Sequence, residues 1–273
     1  MASCVIWSGL RMQASRCLEE EDNMEKIGEI KKKFSDCQIE DLPGLISLYA
    51  GDERSGVRAA AEAARKRTAA YERELARTKE MKRYEREYGE YSYICGIDEV
   101  GRGPLAGPVV AGAVILPKDC SLLYLNDSKK LSEKKREELY TEIMESAVAV
   151  GIGYAAPARI DEINILQATY EAMREAIGLL EKKPDLLLND AVTIPGVSVK
   201  QVPIIKGDAK SISIAAASIV AKVTRDRLMV KYDEVYPEYG FASHKGYGSA
   251  QHMEAIRKYG ATPIHRKSFI KNL

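Results

Sequence analysis

The pattern after residue 91 constrains the fold most, because short β-rich apolar runs alternate there with longer segments of helical composition. Strands are predicted over residues 93–99, 108–116, 150–155, 185–190 and 201–206. Helices are predicted over residues 132–148, 160–181, 209–235 and 249–259. This order predicts an α/β fold, with a mixed five-stranded sheet flanked by helices.

The N-terminal third of the chain has a different composition. Residues 24–34 and 56–88 are rich in Ala, Glu, Arg and Lys, which favours helices, and Leu42-Pro43-Gly44 is predicted to separate them. We predict a small helical N-terminal extension over residues 1–88, with residues 1–23 disordered. Acidic residues alternate with the basic ones in its second segment, which favours a solvated helix and leaves a phosphate-contacting arm as the alternative.

Composition limits the class of protein. The 273 residues are 45% hydrophobic and 30% charged, which is typical of a globular chain. The formal charge is only +1, so affinity for a polyanion would need local patches. Five cysteines without a C-x-x-C pair argue against a disulfide framework or a zinc cage. We expect a cytoplasmic protein without a membrane span, since the longest apolar stretch is short and contains Pro108.

Four acidic residues carry the strongest chemical signal: Asp98, Glu99, Asp190 and Asp208 each end a short apolar run. Two unit charges about 4 Å apart repel by about 4 kcal/mol at an effective dielectric of roughly 20. If the four carboxylates converge, divalent metal ions are the natural source of compensating charge. Asp98 and Glu99 are adjacent, so both reach one site only near a strand end or a bulge.

Each of these residues has a structural alternative when it is taken alone. The Asp98-Glu99 pair is typical of an exposed surface, Asp190 of a turn, and Asp208 of a helix N-cap. Gly101, Arg102 and Gly103 are typical of a tight turn, although the glycines also let main-chain N–H groups approach a polar ligand. A dinucleotide-binding loop is poorly supported, because the glycine spacing differs and two carboxylates precede it.

Two further features favour a nucleic acid ligand. Tyr247 lies between two glycines in a basic loop, where it can stack on a base or sugar or anchor the loop from inside. Short basic groups around Lys129 and Arg266 are more typical of solvated loops than of phosphate contacts, but with Arg102 they can follow a phosphate backbone. The three histidines lack the spacing of a zinc pair, and His252 is predicted to lie on the outer face of a helix.

Taken together, these segments resemble a known family. The motifs GIDEVGRGPLAGPVVAGAVIL, NDSKKLS, LLLNDA, IIKGDAKSISIAAASIVAKVTRDR, HKGYG and PIHRKSF resemble, in order, those of bacterial ribonuclease HII, a type 2 ribonuclease H. The resemblance covers residues 91–269 and leaves residues 1–88 outside it. Ala191 departs from the pattern, in which a glycine is frequent after the third acid.

The resemblance implies an RNase H-like catalytic domain over residues 89–273. It implies a monomeric endonuclease that cuts the RNA strand of RNA–DNA hybrids and nicks duplex DNA 5′ of embedded single ribonucleotides, leaving 5′-phosphate and 3′-hydroxyl ends, in DNA replication and ribonucleotide excision repair. Two Mn²⁺ or Mg²⁺ ions per site would be held by catalytic acids at Asp98, Glu99, Asp190 and Asp208. The implied substrate-binding residues are Gly101, Arg102, Gly103, Lys129, Tyr247 and Arg266.

Another RNase H-like nuclease, such as an exonuclease or a transposase, is one alternative, although those enzymes usually show D-x-E or D-x-D spacing where this chain has adjacent Asp98 and Glu99. Two further alternatives stay open. One is a module that binds RNA–DNA hybrids without cutting them, against which the presence of all four acids weighs. The other is an enzyme similar to ribonuclease HIII, although that branch resembles GKG where this chain has Gly101-Arg102-Gly103.

Overall fold

The computed structural model describes residues 25–272. These residues divide between Leu75 and Ala76 into two compact units. The prediction that residues 1–23 are disordered lies outside the described residues, and the predicted domain boundary at residue 88 stays a prediction. No helix among the described residues is long and apolar enough to cross a membrane.

The first four helices are α1 (Ile27–Asp36), α2 (Leu42–Leu48), α3 (Ser55–Met81) and α4 (Arg83–Glu87). The segment Leu42-Pro43-Gly44 lies between α1 and α3, as predicted, but it also forms the first turn of a further helix, α2. Pro43 lies in that first turn, where its missing N–H would have no helical partner anyway. Ile30, Phe34 and Leu42 are buried in a small apolar cluster of the first unit, which ends at Leu75.

The second unit contains the predicted sheet. Its strands are β1 (Ile94–Val100), β2 (Val109–Ile115), β3 (Ala149–Ala155), β4 (Leu186–Asp190) and β5 (Lys200–Ile204). They lie in the order β3-β2-β1-β4-β5. The pairs β1–β2 and β2–β3 are antiparallel, whereas β1–β4 and β4–β5 are parallel. The mixed five-stranded sheet flanked by helices is therefore confirmed.

The remaining helices are α5 (Glu133–Ser146), α6 (Pro157–Gly178), α7 (Ile212–Val235), α8 (Phe241–His244) and α9 (Ala250–Tyr259). Helices α6 and α7 cover opposite faces of the sheet. Cys95 and Ile97 of β1 pack in the apolar cluster that contains α6, while Val114 of β2 packs in the cluster that contains α7. A Cβ atom at Gly112 would lie 2.5 Å from the carbonyl oxygen of Ala217, so glycine allows α7 to approach β2 closely.

Helix α7 begins later than predicted. Ser211 is its N-cap, and the Ser211 hydroxyl accepts a hydrogen bond from the N–H of Ile214. Asp208 lies before this cap, in a single 3₁₀ turn over Gly207–Ala209. The capping role considered for Asp208 therefore belongs to Ser211.

Candidate active site

The four predicted acids, which we call the acid cluster (Asp98, Glu99, Asp190 and Asp208), come from one end of the sheet. The parallel register pairs Ile97 of β1 with Asn189 of β4, so Asp98 and Asp190 are the next residues along neighbouring strands. Asp208 follows β5, and its turn is tied to β4 because the N–H of Gly207 donates to Asp190 Oδ1 at 2.7 Å. The sheet thus places all four acids at adjacent positions.

Asp98 and Glu99 both lie within the β1–β2 ladder, opposite Gly112 and Ala111. This ladder has no bulge at that point, but the pair is within two residues of the strand end at Val100. Adjacent strand residues can reach one site only near a strand end or a bulge, and Asp98 and Glu99 lie near such an end.

The electrostatics of the acid cluster show that its members act on one another. Burial is the largest cause that raises the pKa of Asp98, of Glu99 and of Asp208 above their usual values. The charge of Asp190 contributes to the raised pKa of each of the other three. Asp190 is therefore the common neighbour, and its three partners are carboxylates that a nearby positive charge would stabilise.

Asp98 is the most enclosed acid, with 7% of its surface exposed. Its carboxylate accepts a hydrogen bond from the N–H of Glu99 at 2.8 Å and another from the hydroxyl of Ser218 in α7. Ser218 Oγ lies 3.0 Å from Ser128 Oγ, and both serines are buried. A hydroxyl chain therefore connects Asp98 to the 3₁₀ turn Ser128–Lys130.

Lys129 lies in this same turn and is exposed. Its positive charge lowers the pKa of Asp208, although burial and the charge of Asp127 outweigh that effect. The predicted substrate-binding lysine is therefore brought within electrostatic range of the acid cluster.

The fit of the acid cluster to metal ions has two parts. Carboxylate oxygens are the donors that Mg²⁺ and Mn²⁺ prefer, and the mutual repulsion in the cluster favours a cation. However, no three His, Cys, Asp or Glu side chains of residues 25–272 are arranged so that they could hold an ion as they stand. The donor chemistry fits divalent ions, while the side chains are not already gathered into one cage.

The loop over residues 101–107 follows β1 directly, and we call it the ribose loop after the contact that the sequence resemblance predicts for Gly101, Arg102 and Gly103. Gly101 has φ +88°, and a Cβ atom there would lie 2.2 Å from Arg225 Nε. Glycine is therefore required both by the backbone conformation and by the arginine packed beneath it. Arg102 extends into solvent, with its guanidinium 3.5 Å from Glu99.

Two buried arginines hold the ribose loop from below. The Arg225 guanidinium donates to the carbonyl oxygens of Ala106, Pro108 and Lys245 at 2.9–3.1 Å. The Arg266 guanidinium donates to those of Gly101, Arg102 and Gly107 at 2.5–3.0 Å. Both side chains are fully buried, and burial lowers the pKa of both arginines.

The predicted contact of Arg266 with substrate stays a prediction. In this structure its donors are directed at loop carbonyls and none of its surface is exposed, so its hydrogen bonds hold the ribose loop. Tyr247, in contrast, is exposed, and a Cβ atom at Gly103 would lie 4.0 Å from its ring. The predicted tyrosine and the predicted glycine loop are therefore neighbours.

Comparison with known proteins agrees with this geometry. A family model for ribonuclease HII matches residues 95–272, and a model for the ribonuclease HII N-terminal domain matches residues 26–89. The ribonuclease HII of Lachnoclostridium phytofermentans is 64% identical over 248 residues, which are 91% of this chain and 98% of that protein. The chain belongs to the ribonuclease HII family.

A second relative of the ribonuclease HII family, from Clostridioides difficile, is 55% identical over 90% of this chain and 98% of its own length. Ribonuclease H2 of Pyrococcus horikoshii has a similar structure, with a TM-score of 0.54 at 30% identity over 64% of this chain and 93% of its own. The ribonuclease HII of Archaeoglobus fulgidus, solved with PCNA, gives a TM-score of 0.55 at 27% identity over 66% and 95%.

The comparisons also correct the limits of the resemblance. The sequence motifs leave residues 1–88 outside the family, whereas the ribonuclease HII N-terminal domain model matches residues 26–89. The motifs missed this region because it carries helical composition and mixed charge without chemically distinctive residues.

Several supporting residues were missed by the sequence analysis. Ser218 lies among small apolar residues, so the sequence predicts only a packing position in a buried helix. For Ser128 the sequence predicts only a loop position. The prediction that His252 lies on an outer helix face was wrong, since none of its surface is exposed. A single amphipathic helix gives no signal for a histidine that is buried against a separate segment of the chain.

Proposed function

We propose that this ribonuclease HII family member is an endoribonuclease that cleaves the RNA strand of RNA–DNA hybrids. We propose further that it nicks duplex DNA on the 5′ side of a single embedded ribonucleotide and leaves 5′-phosphate and 3′-hydroxyl ends. The observation that supports this best is the placement of the acids at one end of the sheet, where the ribose loop begins: Asp98 and Asp190 follow a paired position on neighbouring strands, and the N–H of Gly207, next to Asp208, donates to Asp190 Oδ1. Family membership supports the reaction class.

In this proposal, Asp98, Glu99, Asp190 and Asp208 hold two Mg²⁺ or Mn²⁺ ions after their side chains close together. Bound divalent ions supply the charge that activates water and stabilises the leaving 3′-oxygen. Asp98 is oriented for its part by the bonds from the N–H of Glu99 and the hydroxyl of Ser218. Arg102, which contacts Glu99, and Lys129, near Asp208, provide positive charge at the edge of the acid cluster.

Recognition of ribose is assigned to the ribose loop and Tyr247. Gly101, Arg102 and Gly103 offer main-chain groups at the end of β1, and the exposed ring of Tyr247 lies against Gly103. A site built to bond one hydroxyl can reject a substrate without it by about 10⁴ to 10⁵. We therefore propose that these residues bind the ribose 2′-hydroxyl and the adjoining sugar.

A direct test uses a DNA duplex with one ribonucleotide, an all-DNA duplex and a full RNA–DNA hybrid, each with Mg²⁺ or Mn²⁺. We expect one nick 5′ of the ribonucleotide, cleavage of the hybrid and an intact all-DNA duplex. Asp98→Asn is expected to lose cleavage but still bind the duplex. Asp119→Asn, at an exposed aspartate, serves as the matched control. Uncut ribonucleotide substrate with the unsubstituted protein would refute the proposal.

Binding without cleavage would instead support the hybrid-binding alternative. Measuring binding beside cleavage separates the two, because a binding module holds the single-ribonucleotide duplex but leaves it uncut when metal is present. We also propose that the protein removes ribonucleotides from DNA in the cytoplasm and acts as a monomer. The mass of the active species in solution tests the monomer.

A further inference from the structure

Behind Tyr247 lies a pair of buried histidines that the proposed reaction does not use. His252 comes from α9, and His265 lies in the segment that leads to Arg266. Their Nε2 atoms are 3.0 Å apart, and both side chains are enclosed. Two imidazole nitrogens at this distance share one proton, because two protons would clash and none would leave a buried repulsive contact.

The outer nitrogens of the pair fix which histidine carries that proton. His252 Nδ1 lies 2.9 Å from the carbonyl oxygen of Tyr247, which only accepts, so Nδ1 carries a hydrogen. The N–H of Thr262 donates to His265 Nδ1 at 2.9 Å, so that nitrogen carries none. His265 Nε2–H therefore donates to His252 Nε2, and both rings are neutral. We call this directed chain the histidine relay.

One end of the histidine relay bonds to the main-chain carbonyl of Tyr247. At the other end, His265 immediately precedes Arg266, which holds the ribose loop. The N–H of Arg266, the next residue after His265, donates to the carbonyl oxygen of Leu105 at 2.8 Å. Ala106 and His265 form an antiparallel bridge. One short segment thus contacts both the ribose loop and, through His252, the tyrosine.

The loop that carries Tyr247, between Gly246 and Gly248, has little freedom to compensate for loss of the histidine relay. Gly246 has φ +84°, and its carbonyl oxygen accepts from the N–H of Leu105 at 2.8 Å. A Cβ atom at Gly246 would lie 2.5 Å from the carbonyl oxygen of Ala106. The two loops are therefore in direct main-chain contact, and a shift in one alters the other.

We propose that His252 and His265 are positioning residues that hold the ring of Tyr247 in register with the ribose loop, and so set the discrimination of ribose. This inference rests on the proposed function. It assigns the histidines no contact with substrate; they act through the Tyr247 carbonyl and through the segment that continues into Arg266.

The histidine relay has no position for an additional proton. A proton on His252 Nε2 would face the hydrogen of His265, and one on His265 Nδ1 would face the N–H of Thr262. Burial and the neighbouring His252 lower the pKa of His265 to about 4, and burial also lowers the pKa of His252. The titratable rings that contact the pair are those of His244 and Tyr239.

The first experiment needs no activity. NMR of ¹⁵N-labelled full-length protein at pH 7 is expected to show His252 protonated at Nδ1 only and His265 at Nε2 only. A nuclear Overhauser contact is expected between the Tyr247 ring and Gly103. The contact should be lost in His252→Phe and retained in His252→Asn, whose amide replaces Nδ1–H. Reversed tautomers, a charged ring, or an unchanged contact in His252→Phe would overturn the proposal.

The second experiment measures cleavage of a duplex with one ribonucleotide. His252→Phe is expected to lower kcat by about tenfold or more while KM changes by less than about threefold, because positioning is lost but phosphate contacts are kept. His252→Asn should restore kcat to within about threefold. Glu254→Gln, on the exposed face of the same helix, is the matched control. If His252→Phe does not fold, His252→Gln replaces it, since its amide extends toward Nε2 and not toward Tyr247.

The two proposals fail separately. If the unsubstituted protein does not cut the ribonucleotide duplex, the proposed function fails whatever the NMR shows. If it does cut and His252→Phe keeps the same kcat, the positioning role fails while the proposed function stands.

Discussion

The acid cluster and the loop support (Arg225, His252, His265 and Arg266) lie in the same unit but compensate their polar groups differently. In the acid cluster, burial and like charges raise the pKa of Asp98, and positive charge comes only from the edge. In the loop support, each guanidinium donates to three carbonyl oxygens, and each imidazole has a defined partner. One region stores repulsion that a cation can relieve, whereas the other is already organised.

This contrast predicts that substitutions in the two regions move stability in opposite directions. Asp98→Asn removes a buried charge that faces Glu99 and Asp190. We expect cleavage to be abolished and the free energy of unfolding in metal-free buffer to rise by on the order of 1–3 kcal/mol. Urea denaturation with chelator and a nicking assay measure both. A loss of stability would show that the charges of the acid cluster are better compensated than proposed.

Arg266→Met should give the opposite result. It leaves the carbonyl oxygens of Gly101, Arg102 and Gly107 without their donor, and the bonds to Gly101 and Gly107 are buried. We expect the free energy of unfolding to fall by about 3–5 kcal/mol and cleavage of the ribonucleotide substrate to fall with it. Arg266→Lys keeps the charge but not the planar fork, so it should restore only a minor part. Full recovery with lysine would mean that charge, and not geometry, supports the loop.

The same contrast explains what the sequence could predict. Asp98, Glu99, Asp190 and Asp208 could be proposed as one site because acids that end apolar runs break the pattern around them, and their placement at one sheet end agrees with that proposal. The strands and most helices were found for the related reason that their periodicity is local. The burial of Arg266 and of His252 was not foreseen, because their partners are main-chain carbonyls and a distant ring. Carbonyl acceptors carry no side-chain signature, so the contacts that bury an arginine cannot be read from residue types.

Lowering the pH is expected to change the stability contributed by His265 and by the acid cluster in opposite directions. Because the folded pKa of His265 lies near 4, below its usual 6.5, the unfolded chain takes up the proton first as pH falls. Its contribution is present above pH 6.5 and is lost toward pH 4, by up to about 3 kcal/mol. Asp98 and Glu99 have raised pKa values, so their repulsion is relieved as pH falls and their effect has the opposite sign.

The two signs can be separated by measuring stability against pH in two variants. In Asp98→Asn less repulsion remains for protonation of the acid cluster to remove. Stability should therefore fall more steeply between pH 6.5 and pH 4 than in the unsubstituted protein. In His265→Asn that fall should be shallower. Identical slopes in all three proteins would contradict the assignment of the neutral pair.

The smallest effect on stability is expected at the hydroxyl chain from Asp98 through Ser218 to Ser128. This chain begins at a member of the acid cluster but consists of hydroxyl groups that have partners. Ser218→Ala removes the donor to Asp98 but also strands the Ser128 hydroxyl, so we expect a loss of about 1 kcal/mol. Ser128→Ala breaks the same chain at its outer end. If the chain acts as a unit, the double variant should lose less than the sum of the single losses, by about 0.5–1 kcal/mol.

Cleavage by the serine variants sharpens the comparison further. Ser218→Ala removes a bond that orients Asp98, so kcat should fall by about threefold to tenfold, with the larger effect at low metal concentration. Ser128→Ala leaves the Ser218 bond to Asp98 in place and should reduce kcat less. Equal kcat values in both variants and the unsubstituted protein would mean that Asp98 is positioned by its strand alone.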